Sequence, residues 1–214
     1  MNKLSTIAIA ALLVMPTSIY AQEPEQVAPY YFKMGLGVTN YSTQTNISAF
    51  STGYEVEYEK GLGFYVVIAK NLGQHFAVEL ELHRQRANFS GVGTNGVAFN
   101  TANSDYRSVM VNIILRPDIE TPSEYLSPYI GFGIGKTKMG YEVPASPFTK
   151  SDDNLSARQF IIGNRFNLTD NYFIDAEYRY FSTDNPQVNA QNGVPLEFED
   201  SASQTFMLSY GRNF

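Results

Sequence analysis

The 214-residue sequence contains no cysteine and no tryptophan. Without cysteine there can be no disulfide framework and no thiolate metal site. Without tryptophan the commonest interfacial anchor is missing, and 15 tyrosines and 15 phenylalanines must take that role. Beyond the N-terminal segment no apolar run approaches the ~20 residues that a membrane-spanning helix needs. That excludes helical spans but not a β-barrel, whose strands are each only half apolar. Cations are also scarce, with 15 Lys and Arg against 21 Asp and Glu for a net charge of −6, a poor balance for a nucleic-acid binder.

The N-terminus reads as an address. "MNK" is followed by the apolar "LSTIAIAALLVM", a proline and a small residue, Ala21, at the expected cut. This is the layout of a secretory signal peptide, residues 1–21. Residues 22–29, "QEPEQVAP", form a short polar lead, and residues 30–214 carry the periodic pattern.

Eight segments alternate apolar and polar residues, and almost nothing repeats at helical spacing. In "HFAVELELH" the residues Phe76, Val78, Leu80 and Leu82 share one face, and Glu79, Glu81 and His83 share the other. "YFKMGLGVT", "YRSVMVNIILR", "LSPYIGFGIGK", "RQFIIGNRFNL", "YFIDAEYRYF" and "SQTFMLSYGRNF" alternate in the same way, with Ile114 and Asn164 out of pattern. The stretch from Tyr54 to Lys70 reads as one unbroken phase, so its upper third should stand above the membrane as ordered β-structure. Long polar connections such as "NFSGVGTNGVAFNTANSD" alternate with short turns such as "TDN". This predicts an all-β fold: an eight-stranded antiparallel up-and-down transmembrane β-barrel with its long loops at one end.

Glycines decide which face is inside. Gly35, Gly37, Gly61, Gly63, Gly131, Gly133, Gly135 and Gly163 fall in the phase of the charged residues. A row of glycines weakens an exposed strand, but in a narrow lumen it makes room for long side chains from the opposite wall. Charges and glycines therefore point in, and the apolar face points to lipid. Tyr and Phe at strand ends should form the interfacial belts: Tyr30, Tyr31, Phe32, Tyr125, Phe166, Tyr172 and Phe214 below, Tyr58, Tyr106, Tyr180 and Phe181 above.

"LSPYIGFGIG", "RFNLTDNYFIDAEYRY" and the terminal "SYGRNF" resemble the small eight-stranded outer-membrane proteins, namely the opacity-type surface antigens and the transmembrane domain of the outer membrane protein A family. The resemblance implies the outer membrane of a Gram-negative bacterium and an assembly signal at Phe214 and Tyr210 read by the barrel-assembly machinery. Arg212 stands where that family carries an aromatic or apolar residue. Contacts with outer-membrane lipid and lipopolysaccharide, a host or environmental ligand at the loops, a monomeric state and no cofactor are the further expectations.

The lumen charge network is the main chemical cluster: Lys33, Glu79, Glu81, Arg165, Asp175, Glu177 and Arg179. Buried charges persist when paired, so a salt-bridged plug is the first reading and a gated ion path the second. Parity and the "TDN" turn place Arg165 opposite Asp175 and Gly163 opposite Glu177. The "NLG" turn, treated likewise, places Gly63 opposite Glu81 and Tyr65 opposite Glu79. His75 and His83 have no His-x-His or cysteine partner for zinc, and His83 faces a lumen where a lipid substrate is absent. "KSDDN" and "EFEDS" read as solvated acidic loops, and no metal site is expected. The chain is thus expected to be a non-enzymatic structural protein or surface antigen or adhesin acting through its outer loops. A narrow channel for ions or small apolar molecules is the alternative, and a lipid-modifying enzyme comes third.

Overall fold

A computed structural model describes residues 28–42, 44–45, 54–93, 98–119, 125–142, 151–184, 187–189, 195–197 and 201–214. The expected signal peptide and most of the polar lead lie outside the described residues, as do Lys150 of "KSDDN" and residues 198–200 of "EFEDS". Eight strands form the wall: β1 (Tyr30–Tyr41), β2 (Gly61–Asn71), β3 (Phe76–Gly93), β4 (Ala98–Leu115), β5 (Leu126–Glu142), β6 (Ser151–Asn167), β7 (Tyr172–Thr183) and β8 (Ala202–Asn213). Each pairs antiparallel with its sequence neighbours, and β1 pairs with β8, so the sheet closes. Closure is complete to the last residue. Tyr30 N–H donates to the Phe214 carbonyl at 3.1 Å, Phe214 N–H donates back at 2.9 Å, and the two rings stack. A closed sheet leaves no unpaired edge, which is what permits strands to cross hydrocarbon.

The inside-out pattern holds. Leu36, Leu62, Leu82, Ile113, Ile134, Phe206 and Leu208 are all exposed on the outer wall, whereas Lys33, Glu79, Glu81, Asp175 and Arg179 are fully enclosed. Ile114, out of pattern in the sequence, faces the lumen and covers Gly131.

Three expectations are corrected. The residues 88–105, expected as a loop, are mostly paired strand: β3 and β4 run 18 residues each and pair as far as Val92 opposite Ala98, with a register shift between Phe89 and Gly91. Eighteen residues at ~3.3 Å exceed what a ~25 Å hydrocarbon band needs at any barrel tilt, so the hairpin stands clear of it. Pairing satisfies its backbone groups, and the sequence carries small and polar residues in both phases, so no apolar alternation betrays the strand. His83 is accordingly mid-strand, not at the outer end of its strand. Second, Tyr54–Tyr58 is a strand on β3, as expected, but not in one phase with β2. A break at Glu59 and Lys60 shifts the register, and Tyr58 turns inward to stack on Tyr41 at 5.1 Å. Third, Tyr31, Tyr106 and Phe181 are buried in the lumen and leave the belts; Tyr30, Tyr125, Phe166, Tyr180 and Phe214 remain exposed on the outer wall.

Leu80 lies mid-band on the outer wall between Ile68 and Val111. Leu80→Arg should cost ~2–4 kcal/mol of stability, and Gln204→Arg at the polar upper edge of β8 only ~0–1 kcal/mol. Urea unfolding in lipid vesicles measures both, and equal losses would contradict the placement of the band.

Candidate functional site

The lumen is filled from the strands inward, and its three cations are its organising groups. Lys33 Nζ on β1 reaches Glu177 at 2.8 Å, Glu79 at 2.9 Å and Asp175 at 3.4 Å. The Arg179 guanidinium on β7 donates to Glu81 at 2.8 Å and to Glu177 at 2.8 Å. Arg165 on β6 forms a two-pronged pair with Asp175, 2.8 and 2.9 Å, of the geometry that guanidinium and carboxylate favour. All seven residues named from sequence are brought into one connected network, none more than 7% exposed. Arg165 stands directly opposite Asp175 and Gly163 opposite Glu177, as expected. The turn that sets this register is held by Thr169, whose hydroxyl accepts from Asn171 N–H at 3.3 Å and Tyr172 N–H at 3.1 Å.

The second register expectation fails by four residues. Gly63 faces Gln85, Tyr65 faces His83, and Glu81 and Glu79 face Val67 and Ala69. The turn is centred later than "NLG" suggests: Leu72 N–H donates to the Phe76 carbonyl at 2.8 Å, and Gly73 takes the left-handed φ of 86°. Of the two lumen carboxylate–glycine pairs expected, Gly163 opposite Glu177 is found and Gly63 opposite Glu81 is not.

Neutral donors complete the network. Tyr31 donates to Glu79 at 2.7 Å, Tyr65 to Glu177 at 2.7 Å, and Tyr129 makes a very short bond to Glu177. Asn112 donates to Glu79 and Glu81, and Gln159 to Glu81 at 3.2 Å. Arg116 was not singled out from sequence. It hydrogen-bonds Asn71 at 3.0 Å and lies over the Tyr31 ring at the lower mouth, adding a fourth cation to the four carboxylates. Its even number, matching Asn112 and Ile114 on β4, was the available signal.

Three large rings each rest on a glycine of the next strand: Tyr65 on Gly35, Tyr129 on Gly163, Phe173 on Gly211. Gly211 was also missed. A Cβ on Gly163 would stand 2.3 Å from Tyr129 Cζ, so the glycine is what lets the ring lie flat and its hydroxyl reach Glu177. Above the charges the lumen turns neutral and polar. Thr39 and Thr205 hydroxyls share a hydrogen bond at 2.9 Å, Ser203 and Tyr41 donate to Gln85, and Tyr106 pairs with Ser201.

Neither histidine builds a catalytic dyad. His83 packs edge-on to Phe181 with its Nδ1 3.5 Å from Glu81, and neither ring nitrogen is hydrogen-bonded. His75 Nδ1 contacts the Arg116 carbonyl in a lower turn. Phe214 and Tyr210 are exposed on the lower outer wall, and Arg212 lies over the Tyr172 ring.

The wall is a closed eight-stranded barrel with an apolar girdle and a charged interior, and the family model for the outer membrane protein β-barrel domain matches residues 7–214. The chain belongs to that family. No curated protein sequence matches this outer-membrane barrel. Among solved structures it is similar to Neisserial surface protein A (14% identity over 89% of this chain and 100% of that one, TM-score 0.58). OprG of Pseudomonas aeruginosa is also similar (15%, 88% and 97%, TM-score 0.59), as is AlkL in lipid bilayers (18%, 94% and 97%, TM-score 0.54). At these identities the shared property is the fold; membership of the outer membrane protein β-barrel family is what implies a Gram-negative outer membrane.

Arg165→Ala leaves Asp175 with Lys33 alone and should destabilise the barrel by ~3–5 kcal/mol. Adding Asp175→Ala should recover part of that loss, because Lys33 keeps Glu79 and Glu177. A double-mutant cycle on unfolding in lipid tests this, and strictly additive losses would dissolve the pair. Gly163→Ala should cost ~1–3 kcal/mol by overpacking against Tyr129. In a Tyr129→Ala background the same change should be nearly silent, read by the same unfolding assay.

Proposed function

We propose that this outer-membrane barrel is a plugged, non-enzymatic anchor that works through its outer face, as a structural protein or a surface antigen or adhesin. One observation carries the reading. The mid-lumen is occupied by seven buried charges, each within ion-pair distance of an opposite one, so none of the seven stands alone in the path of a solute. An ion crossing there would have to break pairs that are costly to break when buried. The same arrangement weighs against the channel reading. Among the described residues His83 makes no hydrogen bond to a serine, which weighs against a serine hydrolase built on it.

What is left free to act is the part above the band, led by the β3–β4 hairpin. On this reading the ligand is a host or environmental surface, the barrel is a monomer, residues 1–21 are cleaved on export, and Phe214 with Tyr210 engages the assembly machinery.

Two assays test it together. Cells displaying the barrel should adhere to a panel of host-cell and matrix surfaces, and should lose adhesion when residues 89–102 are replaced by a tight turn. The purified protein in planar bilayers should give no steady conductance. A steady ohmic conductance that survives trimming, with adhesion unchanged by it, would overturn the proposal in favour of a channel.

A further inference from the structure

Lys33, Arg165 and Arg179 each reach a carboxylate, but the fourth lumen cation does not. Arg116 stands one residue past the lower end of β4. Its Nη1 donates to Asn71 Oδ1 at 3.0 Å, and its Nη2 is enclosed with no hydrogen-bond partner. Among the described residues it thus binds a neutral amide and no carboxylate. Asp118, two residues on, is exposed. Arg116 also shares the Tyr31 ring with Arg165, at 5.5 and 4.7 Å from the ring centre. Two like charges so placed repel, and Arg165 already holds both oxygens of Asp175. The position favours an anion with oxygens for a guanidinium fork.

The chain itself enters the barrel beside this cation. Asn71 Nδ2 donates to the Ala28 carbonyl at 2.7 Å, and Asn71 N–H donates to the Pro29 carbonyl at 2.9 Å. One side-chain amide therefore joins the end of the polar lead to Arg116. Before Ala28 the lead reads "QEPEQV", with two carboxylates and no cation. Glu25 is three residues upstream of Ala28, and three extended residues span ~10 Å at most, which keeps its carboxylate in the neighbourhood of the guanidinium. Pro24 and Pro29 bias Glu23 and Ala28 toward extended backbone. Continued at strand parity, Glu23 and Glu25 fall in the phase of Tyr31 and Lys33, which face the lumen.

We propose that the lower mouth of the barrel is a docking site for the chain's own acidic lead, residues 22–27, with the Glu25 carboxylate paired to Arg116. Charge complementarity selects a carboxylate, and the Asn71 bridge selects which one. The tether holds Glu25 at a high effective concentration beside the guanidinium, an advantage that a free anion lacks. Docked in this way, the lead is a latch beneath the charged plug and closes the periplasmic end of the lumen. It also gives each of the four lumen cations a carboxylate. The inference concerns the face opposite to the outer loops and is independent of the adhesin reading.

The test uses the chain from Gln22 to Phe214 in lipid nanodiscs, where both mouths are open to solvent. The readouts are the rate of cleavage after Glu25 by a glutamate-specific protease and the amide exchange of Gln26 and Val27. Arg116→Gln should raise the cleavage rate after Glu25 several-fold and leave cleavage after Glu197, between β7 and β8, unchanged. Added salt should shift the same ratio in the same direction in the unmutated chain. Arg116→Lys should keep part of the protection. If Arg116→Gln fails to fold, Glu25→Gln alters no barrel residue and should still speed exchange at Gln26 and Val27 several-fold, with Glu23→Gln doing less. Unchanged rates at the lead in these variants would overturn the proposal. Faster exchange in the β4–β5 turn instead of the lead on Arg116→Gln would assign the cation to Glu120 or Glu124 and overturn it as well.

Discussion

Lys33 and Arg179 are buried completely, and the rest of the interior is arranged around the need to hold them there. An unpaired cation in that setting costs several kcal/mol. The fold meets the need by drawing carboxylates from two strands: Glu79 and Glu81 from β3, and Asp175 and Glu177 from β7, which also carries Arg179. Glu177 accepts from Lys33, Arg179, Tyr65 and Tyr129 at once, so it ties four strands to one carboxylate. Its position sets how close those walls must come.

The glycines follow from the same constraint. Tyr65 and Tyr129 reach Glu177 only by lying along the wall, and each lies over a glycine of the neighbouring strand. Asn112 does the same over Gly133 on its way to the β3 carboxylates. The cost of glycine in a strand is offset by the hydrogen bonds its absence of a side chain permits. Charge, ring and glycine are thus one device for filling a narrow lumen. The outer wall has only to be apolar over a fixed height.

Parity carried most of what was legible in the sequence. It sorted lumen from lipid on all eight strands, because a strand buried in hydrocarbon on one side and in a polar plug on the other must alternate strictly. It also carried the β6–β7 register, where the tight turn around Thr169 leaves little freedom. The β2–β3 register was lost because four residues, Leu72–His75, make that turn, and the position of a turn's centre within a polar stretch is not written in alternation. The β3–β4 hairpin was read as a loop because residues 88–105 are small and polar in both phases, so the apolar alternation vanishes there. Tyr106 and Phe181 were placed in the belt by composition, although parity put them in the lumen. Arg116 and Gly211 were equally available to parity and were overlooked.

The most direct measurement is solid-state NMR of the uniformly labelled barrel in lipid bilayers, recording the contacts and solvent exchange of Lys33 Nζ and the Arg179 guanidinium. A charge-paired plug predicts short Lys33–Glu177 and Arg179–Glu81 contacts, with side-chain protons that exchange slowly and show little transfer from bulk water. Averaged contacts, or rapid exchange of both groups with water, would mean an open aqueous lumen and would contradict the account.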